Sequence, residues 1–106
     1  MAKLTEIDLA EAIDVISRFI SFNTESSRSN LDLIQWIEKF LDPHEVRCSR
    51  TPNAEGTKAT ICISVGPPVD GGIILSGHLD VVPVEGQAWS SDPSTLRQAG
   101  EKLFGR

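Results

Sequence analysis

Residues 72–83 read G-I-I-L-S-G-H-L-D-V-V-P. Ile73, Ile74 and Leu75 make an unbroken apolar run, the pattern of a central strand covered on both faces. Ser76-Gly77 interrupts it. His78 and Asp80 follow two positions apart, then Val81-Val82, and Pro83 stops the run. The pattern predicts a central strand over 73–77 that delivers an imidazole and a carboxylate to its carboxyl end. Open α/β sheets place their chemistry at that end.

Working back from this stretch, G-P-P-V-D-G-G at 66–72 is a strong breaker. Residues 59–65 alternate, with Ala59, Ile61, Ile63 and Val65 on one side and Thr60, Cys62 and Ser64 on the other. That is a half-buried strand. T-P-N-A-E-G-T-K at 51–58 is a turn, and the weaker alternation of 44–51 predicts a short strand before it. His44 stands just past a helix end and reads as an exposed imidazole. The spacing of Leu33, Trp36, Ile37, Phe40 and Leu41 predicts a helix over 30–41 with Trp36 in the core. Ser29 or Asn30 caps it, and Asp42-Pro43 ends it. S-F-N-T-E-S-S-R-S-N at 21–30 is a polar loop whose hydroxyls could line a site, although such a loop more often is simply solvated. A first helix over 5–21 carries Leu9, Ala12, Ile13, Ile16, Phe19 and Ile20 on one face, which is expected to cover a sheet. Its start has two readings, an Asp8–Glu11 capping box or an earlier cap at Thr5.

Beyond Pro83, residues 84–93 show no period. Leu96–Arg97 and Lys102–Phe104 flank Q-A-G-E and predict a small hairpin. The expected order is α-α-β-β-β plus a hairpin, an α/β class. A central strand needs a neighbour on each side, and the chain supplies two other good strands. The sheet is therefore expected to be incomplete, with residues 1–106 as one part of a domain. An incomplete sheet leaves an edge through which copies of the chain could self-associate.

Ten Lys+Arg against fifteen Asp+Glu give a formal charge of −5. No basic cluster is present, which argues against nucleic acid or an anionic membrane as partner. The first residues, M-A-K-L-T-E-I-D, lack the apolar core of an export signal. No apolar run is long enough to span a bilayer. The expected compartment is cytoplasmic, so Cys48 and Cys62 are expected as free thiols. They also lack the C-x-x-C spacing of a metal pair.

Neutral imidazole is the commonest side-chain metal ligand, and its second nitrogen is usually held by a carboxylate or carbonyl. Residues two apart on extended chain project from the same face. His78 as a metal ligand with Asp80 as its supporting carboxylate is therefore a sensible pair. The H-x-D spacing alone is weakly specific.

S-G-H-L-D-V-V-P-V-E-G-Q-A-W-S-S-D-P followed by L-F-G-R resembles the zinc-dependent amidohydrolases and exopeptidases related to aminoacylase and carboxypeptidase G. Residues 21–38 and 52–59 carry the same resemblance, which runs from about residue 10 to residue 106. It implies the amino-terminal portion of a zinc-exopeptidase-like three-layer catalytic domain, without the lid or dimerisation domain. It implies zinc or cobalt as cofactor, His78 as a zinc ligand and Asp80 as the catalytic carboxylate that orients it. The implied substrate is a small N-acyl amino acid. In the branch matched best it is N-acetyl-L-ornithine, cleaved to L-ornithine and acetate in arginine biosynthesis. The metal would polarise the amide carbonyl and activate water, with a glutamate as general base.

Three departures stand out. Leu79 sits where these enzymes often carry Thr, and Ser94 where close relatives tend to carry Phe. The sequence also stops at Gly105-Arg106, before the motif that supplies the bridging aspartate. With one good ligand, the chain alone is expected to be inactive and to hold zinc weakly. Two alternatives stay open: a non-catalytic remnant or interaction module of the same fold, and a desuccinylase or dipeptidase of the same family.

Overall fold

A computed structural model describes residues 5–106, the side chain of Ile7 excepted. The reading of the first four residues as no export signal lies outside them. The architecture is mixed α/β. Helices α1 (Glu6–Ser21) and α2 (Leu31–Leu41) are followed by strands β1 (Arg47–Pro52), β2 (Ala59–Ser64), β3 (Arg97–Ala99) and β4 (Lys102–Phe104). Among the described residues the strands form two antiparallel pairs, β1–β2 and β3–β4. The chain divides into two units, Thr24–Val82 and the segments 5–23 with 83–106.

In the first unit, α2 lays its apolar stripe on the β1–β2 hairpin. Leu33, Ile34 and Ile37 are buried on the helix, and Ala59 is buried on β2. Arg50 pairs with Ile61 and Pro52 with Ala59, so these side chains share one face of the hairpin. The Arg50 guanidinium reaches back to α2 and donates to both Glu38 carboxylate oxygens, at 2.9 and 2.5 Å. Trp36 is half-buried and stacks on Phe40 with ring centroids 5.2 Å apart. Asn30 occupies the N-cap position of α2 but caps nothing with its side chain. Its amide instead grips the start of β2, donating to the Ala59 carbonyl and accepting the Ala59 N–H, both at 2.9 Å. Ser29 serves the helix start, its hydroxyl accepting the Leu31 N–H at 3.2 Å.

The turn between β1 and β2 is closed by Asn53. Its side-chain oxygen accepts the N–H groups of Thr57 and Lys58, both at 2.9 Å. Gly56 supplies the left-handed backbone there, at φ +70°. The register also explains the cysteines. Cys48 faces Ile63 and Cys62 faces Ser49, so the two thiols lie on opposite faces of the hairpin, and both are free.

The expected central strand over 73–77 does not form. Residues 71–80 carry no strand, and Ile73, Ile74 and Leu75 are 90, 93 and 94% exposed. Strand propensity measures fit to a pleated, half-covered surface rather than an intrinsic backbone state. β1 and β2 pair with each other, and among the described residues no strand lies beside 73–75, so this run has no ladder to join there. The observed order is α-α-β-β plus the hairpin.

In the second unit, α1 starts on a reciprocal Thr5–Asp8 capping box. The Asp8 carboxylate accepts the Thr5 N–H at 2.9 Å, and the Thr5 hydroxyl accepts the Asp8 N–H at 3.1 Å. The earlier cap is therefore the one used. The apolar stripe of α1 is only partly covered: Ile13, Phe19 and Ile20 are half-buried, whereas Leu9 and Ile16 are exposed. The β3–β4 hairpin turns on Gly100 at φ +61°. Its Arg97 guanidinium lies 4.4 Å over the ring of its cross-strand partner Phe104. No helix among the described residues is long and apolar enough to cross a membrane.

Candidate functional site

His78 and Asp80 sit on the irregular segment just past the exposed apolar run. Their backbone is held by another segment. Glu25 and Val81 form an isolated parallel bridge. The Ser26 N–H donates to the Val81 carbonyl and the Val81 N–H to the Thr24 carbonyl, each at 3.0 Å. Thr24, only 5% exposed, donates its hydroxyl to the Leu79 carbonyl at 2.6 Å. Lys58 Nζ donates to the Ser26 carbonyl. The H-x-D segment is thus positioned by the polar loop at 24–26.

The two side chains meet. His78 Nδ1 lies 2.8 Å from the Asp80 carbonyl oxygen and 3.3 Å from Asp80 Oδ1. Both partners are acceptors, so Nδ1 carries the proton and donates. When the imidazole is neutral it has one donor and one acceptor nitrogen, and this arrangement then leaves Nε2 as the unprotonated one. The side chain is 84% exposed, so that nitrogen is accessible. The other carboxylate oxygen, Asp80 Oδ2, accepts the Ser26 hydroxyl at 2.7 Å. That bond holds the Asp80 carboxyl below its ordinary range.

This arrangement fits one metal ligand with its supporting carboxylate. A catalytic zinc centre takes about three protein ligands and an open position. Among the described residues, no group of three or more His, Cys, Asp or Glu could hold a metal ion. The donors present fit one corner of such a centre and do not complete it. His44 stands apart past α2, its N–H on the Leu41 carbonyl at 2.9 Å and its ring 6.3 Å from Phe40. Cys48 faces α2, and its thiol is pushed up by desolvation and by the nearby Glu38 charge.

The sequence named the hydroxyls of this loop as able to line a site but favoured a solvated loop, and it did not single out Thr24 and Ser26. A signal was there: T-x-S places two hydroxyls two positions apart, which on extended chain puts both on one side.

The chain is similar to acetylornithine deacetylases. It is 27% identical to the one from Proteus mirabilis over 103 residues, covering 95% of this chain and 26% of that protein. Against the one from Buchnera aphidicola subsp. Acyrthosiphon pisum it is 25% identical over 101 residues, covering 93% of this chain and 26% of that protein. A shorter match to the Aliivibrio salmonicida protein reaches 42% over 36 residues, 34% of this chain and 10% of that protein. The chain spans about a quarter of the length of the first two. No family profile matches it, and no solved structure matches it.

Proposed function

We propose that this chain supplies the His78–Asp80 corner of the catalytic centre in a metal-dependent amidohydrolase acting on a linear N-acyl amino acid. The observation that carries this is the state of His78, with Nδ1 held by Asp80 and Nε2 free and exposed. Likeness to acetylornithine deacetylases over nearly the whole chain favours N-acetyl-L-ornithine as substrate. In this reading the chain is the amino-terminal part of the catalytic domain of a cytoplasmic enzyme. His78 is a ligand for zinc or cobalt, and Asp80 fixes its tautomer. The bound metal supplies a Lewis acid for the amide carbonyl and for water. The described residues provide neither a full ligand set nor an assigned general base, so no catalytic step is derived from them.

The test is a titration of the 106-residue chain with zinc, followed through the imidazole resonances of its two histidines. Saturable, weak binding that shifts His78 ahead of His44 and is lost in His78→Ala is the expected result. N-acetyl-L-ornithine hydrolysis by the chain alone, with zinc or cobalt, stays at background. Zinc that leaves His78 unperturbed would sink the ligand assignment. Turnover that His78→Ala removes would show that the chain completes a site by itself.

A further inference from the structure

We propose that Ser26 is a positioning residue for His78, acting through the Asp80 carboxylate. The proposal rests on the reading of His78 as a ligand, because it concerns which imidazole nitrogen is left free.

The geometry divides the work of the carboxylate between its two oxygens. Oδ2 takes the Ser26 hydroxyl at 2.7 Å, and Oδ1 faces His78 Nδ1 at 3.3 Å. The Ser26 hydroxyl also lies 3.4 Å from the Val81 carbonyl. A hydroxyl has one proton to give, and the shorter, charge-assisted bond to the carboxylate is the stronger of the two. The terminal torsion of an aspartate is broad and roughly two-fold. The Asp80 side chain is 58% exposed, so packing does little to choose an orientation. Pinning one oxygen chooses it and turns the other toward the imidazole.

Ser26 can pin Asp80 because it is itself fixed. Its N–H donates to the Val81 carbonyl, and its own carbonyl accepts Lys58 Nζ. The neighbouring Thr24 is buried and tied to the Leu79 carbonyl. One short strip, 24–26, therefore grips Leu79, Asp80 and Val81 in succession. Two of those grips come from hydroxyls on the same side of the strip. Glu25, between them, pairs with Arg28 at 3.8 Å.

One competing contact makes the proposal open to refutation. The Asp80 main-chain carbonyl lies 2.8 Å from Nδ1 and does not depend on Ser26. If that carbonyl alone fixes the tautomer, Ser26 has only a bracing role.

Long-range nitrogen–proton NMR of the metal-free chain, at a pH where the imidazole is neutral, reads the ratio of Nδ1–H to Nε2–H forms at His78. Wild type is expected to be mainly Nδ1–H. In Ser26→Ala the ratio falls about fivefold, the equivalent of one ordinary hydrogen bond. Ser26→Val and Ser26→Thr have nearly the same shape and differ in the hydroxyl. The valine variant is expected to follow alanine, and the threonine variant to keep the wild-type ratio. An unchanged ratio in Ser26→Val, or a fall as large in Ser26→Thr, overturns the proposal. Because no metal is present, this result is separate from the zinc titration. Zinc binding at His78 with an unmoved tautomer ratio removes Ser26 alone. A moved ratio without zinc binding removes the ligand assignment and leaves Ser26 as an orienting group.

Discussion

Strand β2 and residues 73–75 start from similar material. One reads A-T-I-C-I-S and the other I-I-L, and the second is the more apolar. Yet β2 is a strand with Ala59 buried, whereas 73–75 stand almost wholly in solvent. What separates them is company. β2 has β1 on its edge, α2 over one face and the Asn30 amide closing its first residue. Residues 73–75 have none of these. Apolar content therefore did not decide which run became a strand. Backbone groups need partners, and a run acquires them only where the chain brings another edge alongside.

The contrast can be broken at its strongest point first. Ile34 is fully buried in α2 and belongs to the cover that β2 has and 73–75 lack. Ile34→Ala should cost about 3 kcal/mol, read from the denaturant midpoint of the chain. Ile74→Lys should change stability by less than about 0.5 kcal/mol, because nothing covers that side chain. The same lysine should reduce concentration-dependent association in sedimentation, since a charge blunts an exposed apolar run. If Ile74→Lys costs as much as Ile34→Ala, residues 73–75 are covered in solution and the contrast fails.

Acid gives the smallest and most diffuse effect. The carboxyls of Glu38, Asp8 and Asp80 are each held low, first by hydrogen bonds from Arg50, Thr5 and Ser26 respectively. A group whose folded pKa is depressed contributes fully above its unfolded pKa and is lost as pH falls through the folded one. Melting midpoints recorded from about pH 6 down to about pH 2 should therefore fall only toward the acid end of that range. Glu38→Gln should flatten part of that fall, since it removes the ion pair under β1.

Much of this was legible. The periods of α1 and α2, the alternation of β2 and the Q-A-G-E turn all follow from spacing, because each depends on residues close in sequence. The start of α1 came down to which cap was used, Asp8 with Glu11 or the earlier Thr5, and Thr5 with Asp8 won. His78 and Asp80 were legible as a pair because two residues apart on extended chain share a side. The central strand was misread because an apolar run says what a segment can bury, not whether anything lies beside it. The 24–26 strip was underrated for the opposite reason. Its residues are polar and look solvated, and their partners lie about 55 positions away, where no local pattern reaches.

That separation has a consequence for the order in which the chain assembles. The Asn53 turn closes on residues four and five positions away, while the grip of Thr24 and Ser26 on 79–81 closes over 54 and 55. Loop-closure entropy rises with the logarithm of length, so the longer closure costs about 2 kcal/mol more. The hairpin is expected to form early and the grip on the H-x-D segment late. By the same reasoning the grip is the first to open, and the amides of Ser26 and Val81 should exchange with solvent sooner than those of β2. The His78 corner is then a latch that closes onto a hairpin already standing.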